Sequence, residues 1–120
     1  MIDHVALNVS DLEASKAFYV QALEPLGFSI VMEHPEAVGM GPGDKPIFWL
    51  VRRDPVSNAV HVAFTAGDRA TVRAFHAAAL EADGIDHGAP GLREYHPSYY
   101  GAFVLDPDGN NIEAVCHAPE

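Results

Sequence analysis

Residues 3–28 read DHVALNVSDLEASKAFYVQALEPLGF, and residues 60–85 read VHVAFTAGDRATVRAFHAAALEADGI. The second stretch begins 57 positions after the first, and ten of the 26 aligned pairs are identical without a gap. The identical pairs are His4/His61, Val5/Val62, Ala6/Ala63, Asp11/Asp68, Ala17/Ala74, Phe18/Phe75, Ala22/Ala79, Leu23/Leu80, Glu24/Glu81 and Gly27/Gly84. An internal repeat dictates architecture, because each copy forms the same structural unit. The sequence therefore predicts two similar units with a histidine at the same point of each.

Each copy begins with the pattern of a strand followed by a helix. Residues 2–9 alternate with a period of two, as in a half-buried strand. Ser10 to Glu13 has the form of a capping box, which predicts a helix start, and Pro25 and Gly27 predict its end. Further strands are predicted at 28–33, 37–40 and 46–52, and the second copy gives strands at 60–66, 85–92, 99–105 and 111–117 with a helix at about 68–82. We expect an α+β fold of two tandem βαβββ modules, at about 1–53 and 59–120, joined by a linker at 53–58.

The ends of the two units also align, but with a different shift. Residues 42–48 (PGDKPIF) align with residues 107–113 (PDGNNIE) at a shift of 65, and this alignment pairs Phe48 with Glu113. The second copy then has eight extra residues before this point, and we place them between residues 85 and 99.

Two histidines and a glutamate form a candidate metal site. His4 and His61 lie in the same phase of their strands, and small or polar side chains follow them on the same face. Glu113 alternates with Ile112 on the last strand and so lies on the opposite face from it. If the two copies pair by pseudo-symmetry, these three side chains converge as a facial triad that leaves metal positions open. The alternative for each histidine is a structural or surface role, but their matching phase favours a metal site.

Composition excludes several classes of function. The chain of 120 residues fits a single domain, and its formal net charge of −10 argues against binding nucleic acid or anionic membranes. No apolar run approaches the roughly 18 residues of a membrane helix, and the N-terminus does not resemble a signal peptide. The single cysteine, Cys116, cannot form an internal disulfide, which fits a cytoplasmic location.

The irregular segment 93–100 (REYHPSYY) combines a cation, an imidazole and three phenols. It is a candidate substrate loop, with a packed surface loop as the alternative. Within it, His96 and Tyr99 are candidates for the acid or base. The side chains that we expect to line the substrate site are Asn8, Phe48, Thr65, Tyr99 and Phe103.

Three stretches resemble the vicinal oxygen chelate superfamily, the group of glyoxalases, bleomycin-resistance proteins and extradiol dioxygenases. They are HVAL at 4–7 with SD at 10–11, HVAF at 61–64, and FVLDPDGNNIE at 103–113, whose ending is the most specific piece. The resemblance covers essentially the whole chain. It implies paired βαβββ modules that form a cup-shaped mixed sheet around a divalent metal, with helices on the outer face. It also implies that His4, His61 and Glu113 occupy three of the family's ligand positions.

The resemblance does not select one activity. Lactoylglutathione lyases have a fourth ligand, a glutamate, on the last strand of the first module, where the alignment places Phe48. Fosfomycin-resistance thiol transferases have a tyrosine where Phe103 stands, and their C-terminal phosphonate-binding cations have no counterpart here. Bleomycin-binding members generally lack the metal ligands, and extradiol dioxygenases are usually longer. We expect a metal-dependent lyase, thiol transferase or dioxygenase with one divalent ion per site, among Zn, Ni, Mn and Fe.

In such an enzyme the metal acts as a Lewis acid that binds two oxygens of a small substrate and stabilises the resulting anion. The alternative is a binding module that sequesters a small molecule without catalysis. The resemblance also implies a homodimer, in which a site takes His4 from one chain and His61 with Glu113 from the other. Pairing of the two modules within one chain is equally open.

Overall fold

The computed structural model describes all 120 residues and contains two α-helices, one short 3-10 helix and eight strands. The first unit consists of β1 (Val5–Val9), α1 (Leu12–Ala22), the 3-10 helix (Glu24–Leu26), β2 (Ser29–His34), β3 (Ala37–Gly41) and β4 (Phe48–Arg52). The second unit consists of β5 (His61–Thr65), α2 (Arg69–Glu81), β6 (Ile85–Leu92), β7 (Tyr100–Leu105) and β8 (Asn111–Cys116). The predicted α+β fold with a repeated βαβββ order is confirmed. Neither helix is long and apolar enough to span a membrane.

Each unit folds into its own four-stranded mixed sheet. The strand orders are β1-β4-β3-β2 and β5-β8-β7-β6. In both sheets the first strand pairs in parallel with the last, and the other pairs are antiparallel. As a result β1 and β5 are both edge strands, and each leaves one edge unpaired within the chain.

An aspartate starts each helix. The side chain of Asp11 accepts a hydrogen bond from the backbone N–H of Ala14, and Asp68 caps α2 in the same way. These bonds satisfy N–H groups of the first turn that have no partner within the helix. The predicted capping box at Ser10 is therefore wrong by one residue, and the Ser10 hydroxyl donates instead to Asp108 in the second unit.

One hydrophobic core joins the two units. It contains 21 buried residues drawn from both sheets and both helices. The ring of Phe64 in β5 lies 5.3 Å from the rings of both Phe28 and Phe48 in the first unit. The opposite sides of β1 and β5 are exposed, at Ala6 and Ala63 among others. The units therefore pack through their helix-facing sides, and the other sides point outward.

The turn at 106–110 links the second unit to the first through hydrogen bonds. Asp106 and Asn110 are almost completely buried, at 5% and 0% exposure. The hydroxyl of Tyr19 in α1 donates to Asp106, and the side-chain amide of Asn110 donates to the carbonyl of Ser57 in the linker at 3.0 Å. This part of the DPDGN motif therefore has a structural role in holding α1, the linker and β8 together.

The strand register corrects the predicted pairing of Phe48 with Glu113. Ala6 and Ala63 are equivalent positions of the repeat; Ala6 pairs with Trp49, and Ala63 pairs with Glu113. The shift between the unit ends is thus 64, from 113 − 49, and the second unit has seven extra residues, from 64 − 57. The structural counterpart of Glu113 in the first unit is Trp49.

Candidate functional site

Glu113 lies in the middle of β8, and its side chain is completely buried. Its neighbours Ile112 and Ala114 belong to the hydrophobic core, so alternation along the strand places Glu113 on the side away from α2. His61 at the start of β5 lies beside it, with Nε2 2.8 Å from Oε1 of Glu113. The parallel register of β5 and β8 produces this contact, because Glu113 pairs with Ala63, two residues after His61. The structure thus brings two of the three predicted ligands together.

Tyr99 holds the second oxygen of the same carboxylate. Its hydroxyl donates to Oε2 of Glu113. Burial, followed by the hydrogen bond to the carboxylate, raises the pKa of Tyr99 to about 12, so the phenol is a protonated donor at neutral pH. Gly101 leaves the room for this contact, because a Cβ there would lie 3.0 Å from Oε2 of Glu113 and 3.2 Å from Cε1 of Tyr99.

Three aromatic rings surround Tyr99. The ring centroids of Tyr95, His96 and His117 lie 4.9, 5.0 and 5.2 Å from that of Tyr99. His96 also stacks on His117 at 4.7 Å. The candidate acid or base His96 contacts the ring of Tyr99, and the only hydrogen-bond contact of its side chain is with the carbonyl of Pro97. Within the segment 93–100, Tyr99 makes the hydrogen bond to Glu113.

His4 does not join His61 and Glu113 within the chain. It precedes β1, its side chain is 55% exposed, and its Nδ1 lies 2.8 Å from a carboxylate oxygen of Asp3. No group of three His, Cys, Asp or Glu side chains that could hold a metal ion forms anywhere in the chain. His4 borders a mostly apolar crevice of about 220 Å³ between the starts of β1 and β5. One chain therefore brings together two of the three predicted donors.

Two of the predicted substrate-contact residues lie on the same side of the second sheet as Glu113. Phe103 in β7 is the direct cross-strand partner of Glu113, and its ring lies 6.1 Å from that of His61. The guanidinium of Arg93 lies 5.4 Å from the Phe103 ring centroid. Thr65 lies two residues beyond Ala63 on β5 and is exposed. Phe103 and Thr65 therefore share the sheet face that carries the carboxylate.

Phe48 and Asn8 have other environments. Phe48 is 1% exposed, belongs to the core and has its ring 5.0 Å from that of Tyr19, because its side chain points toward the helices. Only its edge borders the apolar crevice that His4 also lines, and its contact with substrate stays a prediction. The side-chain amide of Asn8 donates to the carbonyl of Pro55 at 3.0 Å and so binds the linker.

The pair of donors fits part of a metal site. Imidazole and carboxylate are common ligands of divalent transition metals, and two ligands bonded to one ion lie about 3 Å apart. The 2.8 Å between Nε2 of His61 and Oε1 of Glu113 is close to this separation. A buried carboxylate also requires a compensating charge, yet every Lys or Arg ion pair of the chain is made with another acidic residue. A bound cation or a protonated His61 would supply that charge.

Two features of the site were absent from the sequence-based prediction. The first is Trp49 as the counterpart of Glu113. Residue types could have indicated it, because this alignment matches Phe48 with Ile112, two apolar side chains that are both buried. The bond from Tyr99 to Glu113 left no local signal, because it joins a loop to a strand 14 residues away.

Comparisons with known proteins agree on one family. A family model described as "Glyoxalase/Bleomycin resistance protein/Dioxygenase superfamily" matches residues 1–114. A search of curated proteins finds no match. A glyoxalase/bleomycin resistance protein from Albidiferax ferrireducens T118 shares 29% identity over 98% of both chains, with a TM-score of 0.84. A glyoxalase/bleomycin resistance protein/dioxygenase family enzyme from Burkholderia phytofirmans PsJN shares 20% identity over 98% of both chains, with a TM-score of 0.77. A lactoylglutathione lyase from Agrobacterium tumefaciens shares 21% identity over 97% of this chain and 92% of that chain, with a TM-score of 0.71. The last two similarities show the fold alone.

Proposed function

Because the chain belongs to the glyoxalase/bleomycin resistance protein/dioxygenase superfamily, we propose that it is a divalent-metal-dependent enzyme acting on a small oxygen-bearing molecule. The observation that carries the proposal is the completely buried carboxylate of Glu113, with an imidazole nitrogen at 2.8 Å and no Lys or Arg partner. A divalent cation would compensate the charge of this carboxylate. When bound, such an ion supplies Lewis-acid chemistry that polarises substrate oxygens and stabilises an anion.

We propose that His4 of a second copy completes the ligand set. The unpaired edges of β1 and β5 and the exposed side chains of Ala6 and Ala63 leave one side of each unit free to meet another chain. In a two-fold dimer that pairs the first unit of one chain with the second unit of the other, the same contact forms twice. Each dimer would then contain two equivalent sites.

The residues around the pair have separate roles in this proposal. Phe103 forms an apolar wall beside His61 and Glu113, which limits the access of water to the carboxylate. Thr65 offers an exposed hydroxyl to a bound molecule. Trp49, at the position equivalent to Glu113, has no side-chain oxygen or imidazole to add as a fourth ligand. The proposed site therefore has three protein ligands and open positions for substrate, as in a lyase, thiol transferase or dioxygenase of this family.

The test measures bound metal by elemental analysis after purified protein is incubated with Zn²⁺, Ni²⁺, Mn²⁺ or Fe²⁺ and then desalted. We expect about one ion per chain in the wild type and none in His61→Ala or Glu113→Ala. The matched control is His76→Ala, since His76 lies on α2 and pairs with Asp86 away from the site. A wild type that retains no divalent metal would refute the proposal.

Mixing variants tests the source of the third ligand. His4→Ala and Glu113→Ala chains are unfolded together, refolded and loaded with metal. In the proposed dimer, half of the dimers are mixed and each mixed dimer has one intact site, so about a quarter of the wild-type metal content returns. If the site forms within one chain, no metal content returns, because each chain lacks one ligand.

A second candidate function is a protein that sequesters a small molecule without catalysis. The specific observation in its favour is that both oxygens of Glu113 already accept hydrogen bonds, from His61 and Tyr99. Metal binding without turnover of any diketone, epoxide or catechol would favour this candidate over the enzyme.

A further inference from the structure

We propose that Tyr99 is a positioning residue that fixes Glu113 as a one-oxygen metal ligand, an inference that rests on the metal site proposed above. The two oxygens of Glu113 have different partners in the chain. Oε1 faces Nε2 of His61, whose side chain is 51% exposed, and Oε2 accepts the hydrogen bond from Tyr99. The hydrogen bond therefore leaves Oε1 available as a metal ligand and holds Oε2 in place.

The held oxygen cannot rotate freely toward the ligand position. Glu113 is completely buried, and the Tyr99 ring is packed against three other rings at centroid distances of 4.9 to 5.2 Å. Rotating the carboxylate to present both oxygens would break this bond and leave the half-buried phenol without its acceptor, which costs free energy. Partners of metal ligands commonly orient the ligand in this way and tune its affinity.

Gly101 shows that the chain makes specific room for this contact. A side chain at this position would lie 3.0 Å from Oε2 of Glu113 and 3.2 Å from the Tyr99 ring. Contacts of that length require the neighbouring atoms to move. The absence of a side chain at residue 101 is thus coupled to the placement of both groups.

The same geometry argues against Tyr99 as an acid toward substrate. Its hydroxyl proton is donated to Oε2 of Glu113, whose side chain is completely buried. A group that transferred a proton to substrate would need its hydroxyl directed into open space. Tyr99 therefore acts through Glu113.

The experiment uses Co²⁺ as the metal probe and compares Tyr99→Phe with Tyr95→Phe. The second variant is the matched control, because Tyr95 belongs to the same segment, is 68% exposed and has no hydrogen bond to Glu113. Co²⁺ affinity is measured by competition with a chelator, and the visible absorption spectrum of the Co²⁺ protein reports coordination. We expect Tyr99→Phe to weaken Co²⁺ binding about 10–100-fold. The visible absorption of its Co²⁺ form should be less intense, since the freed oxygen of Glu113 can enter the coordination sphere. The Co²⁺ affinity of Tyr95→Phe should stay within about twofold of the wild type.

Gly101→Ala provides a second variant that leaves every polar group in place. Its added Cβ displaces the carboxylate or the ring, so we expect weaker Co²⁺ binding in the same direction as Tyr99→Phe. Unchanged affinity and spectrum in Tyr99→Phe would overturn the inference, and so would an equal loss in Tyr95→Phe, because that variant keeps the bond from Tyr99 to Glu113. If the wild type binds Co²⁺ and Tyr99→Phe does not differ from it, only the positioning role fails. If the wild type binds no Co²⁺, the metal site fails and this inference fails with it.

Discussion

The hydroxyl of Tyr19 ties α1 to the turn before β8, and its removal tests how the two units are held together. Tyr19 is completely buried, and its hydroxyl donates to Asp106, which is 5% exposed. Tyr19→Phe keeps the ring and its edge contacts with Phe18 at 4.9 Å and Phe48 at 5.0 Å. The substitution therefore removes one hydrogen bond and leaves the packing in place.

The size of the effect follows from what Asp106 retains. A hydrogen bond to a charged group is worth about 1.5–3 kcal/mol. Asp106 keeps bonds from the backbone N–H groups of Asp108 and Asn110 and from the Asn110 amide, at 2.8 to 3.0 Å. We therefore expect a loss in the lower half of that range, about 1.5–2 kcal/mol in the free energy of unfolding. For 120 residues the entropy of unfolding is about 0.25 kcal/mol/K, so the midpoint falls by about 6–8 °C.

The assay is urea and thermal unfolding at pH 7 and one fixed protein concentration, because association would shift the midpoint. Tyr95→Phe is the control and should change the free energy of unfolding by less than about 0.5 kcal/mol, since Tyr95 is exposed. A loss below about 0.5 kcal/mol in Tyr19→Phe would refute the reasoning, because this is the range of a neutral surface substitution.

The same pair gives a pH dependence with a defined sign. Burial raises the pKa of Tyr19 well above its ordinary value, and the nearby Asp106 carboxylate raises it further. Because the pKa of Tyr19 is higher in the folded than in the unfolded chain, the protonated phenol stabilises the fold. This contribution to the free energy of unfolding is complete below the unfolded pKa of about 10 and declines as the pH rises toward the folded pKa. Tyr19→Phe lacks this decline, so its stability difference from wild type should be constant from pH 7 to 9 and narrow above about pH 10.

Three other substitutions test the packing. Phe48→Ala should lose about 3–5 kcal/mol in urea unfolding because the ring is in the core, whereas a site-lining Phe48 would change ligand binding with little loss of stability. Asn110→Ala should lose about 2–3 kcal/mol in the same assay, because its buried amide binds the Ser57 carbonyl and the turn itself; an effect below about 1 kcal/mol would contradict this. Gly84→Ala should lower the thermal midpoint by the equivalent of about 1–3 kcal/mol, because its Cβ would lie 2.8 Å from the Phe18 ring, and a midpoint at or above wild type would contradict it.

Much of the fold was predictable from the sequence because the repeat carries the element order twice. The error lay in the register at the unit ends. Aligning the turn letters of residues 42–45 with those of 107–110 gave a shift of 65, but the strands pair at a shift of 64. In a strand, a slip of one residue moves each side chain to the other face. This slip of one residue matched Phe48, instead of Trp49, with Glu113.

The candidate site was predictable where it depends on strand phase and unpredictable where it depends on loops. His61 and Glu113 meet because β5 and β8 pair in parallel, and alternation places both on one face. The contact of Tyr99 with Glu113 depends on the path of a loop, and a loop sequence lacks the periodic pattern of apolar residues that predicts the direction of side chains in a strand. The position of His4 depends on how the units pack, and a repeat does not encode whether its two copies meet within a chain or between chains.

Several contacts between the two units lie on the helix side of the sheets or in the linker. They include the rings of Phe64 and Phe48, the bond from Tyr19 to Asp106, and the amide of Asn110 in the linker. Packing on that side turns the faces that carry the two repeated histidines outward. Ala6 and Ala63, in the middle of these faces, are exposed in the single chain. This packing through the shared core is the structural argument for our proposal that a second copy completes the metal site.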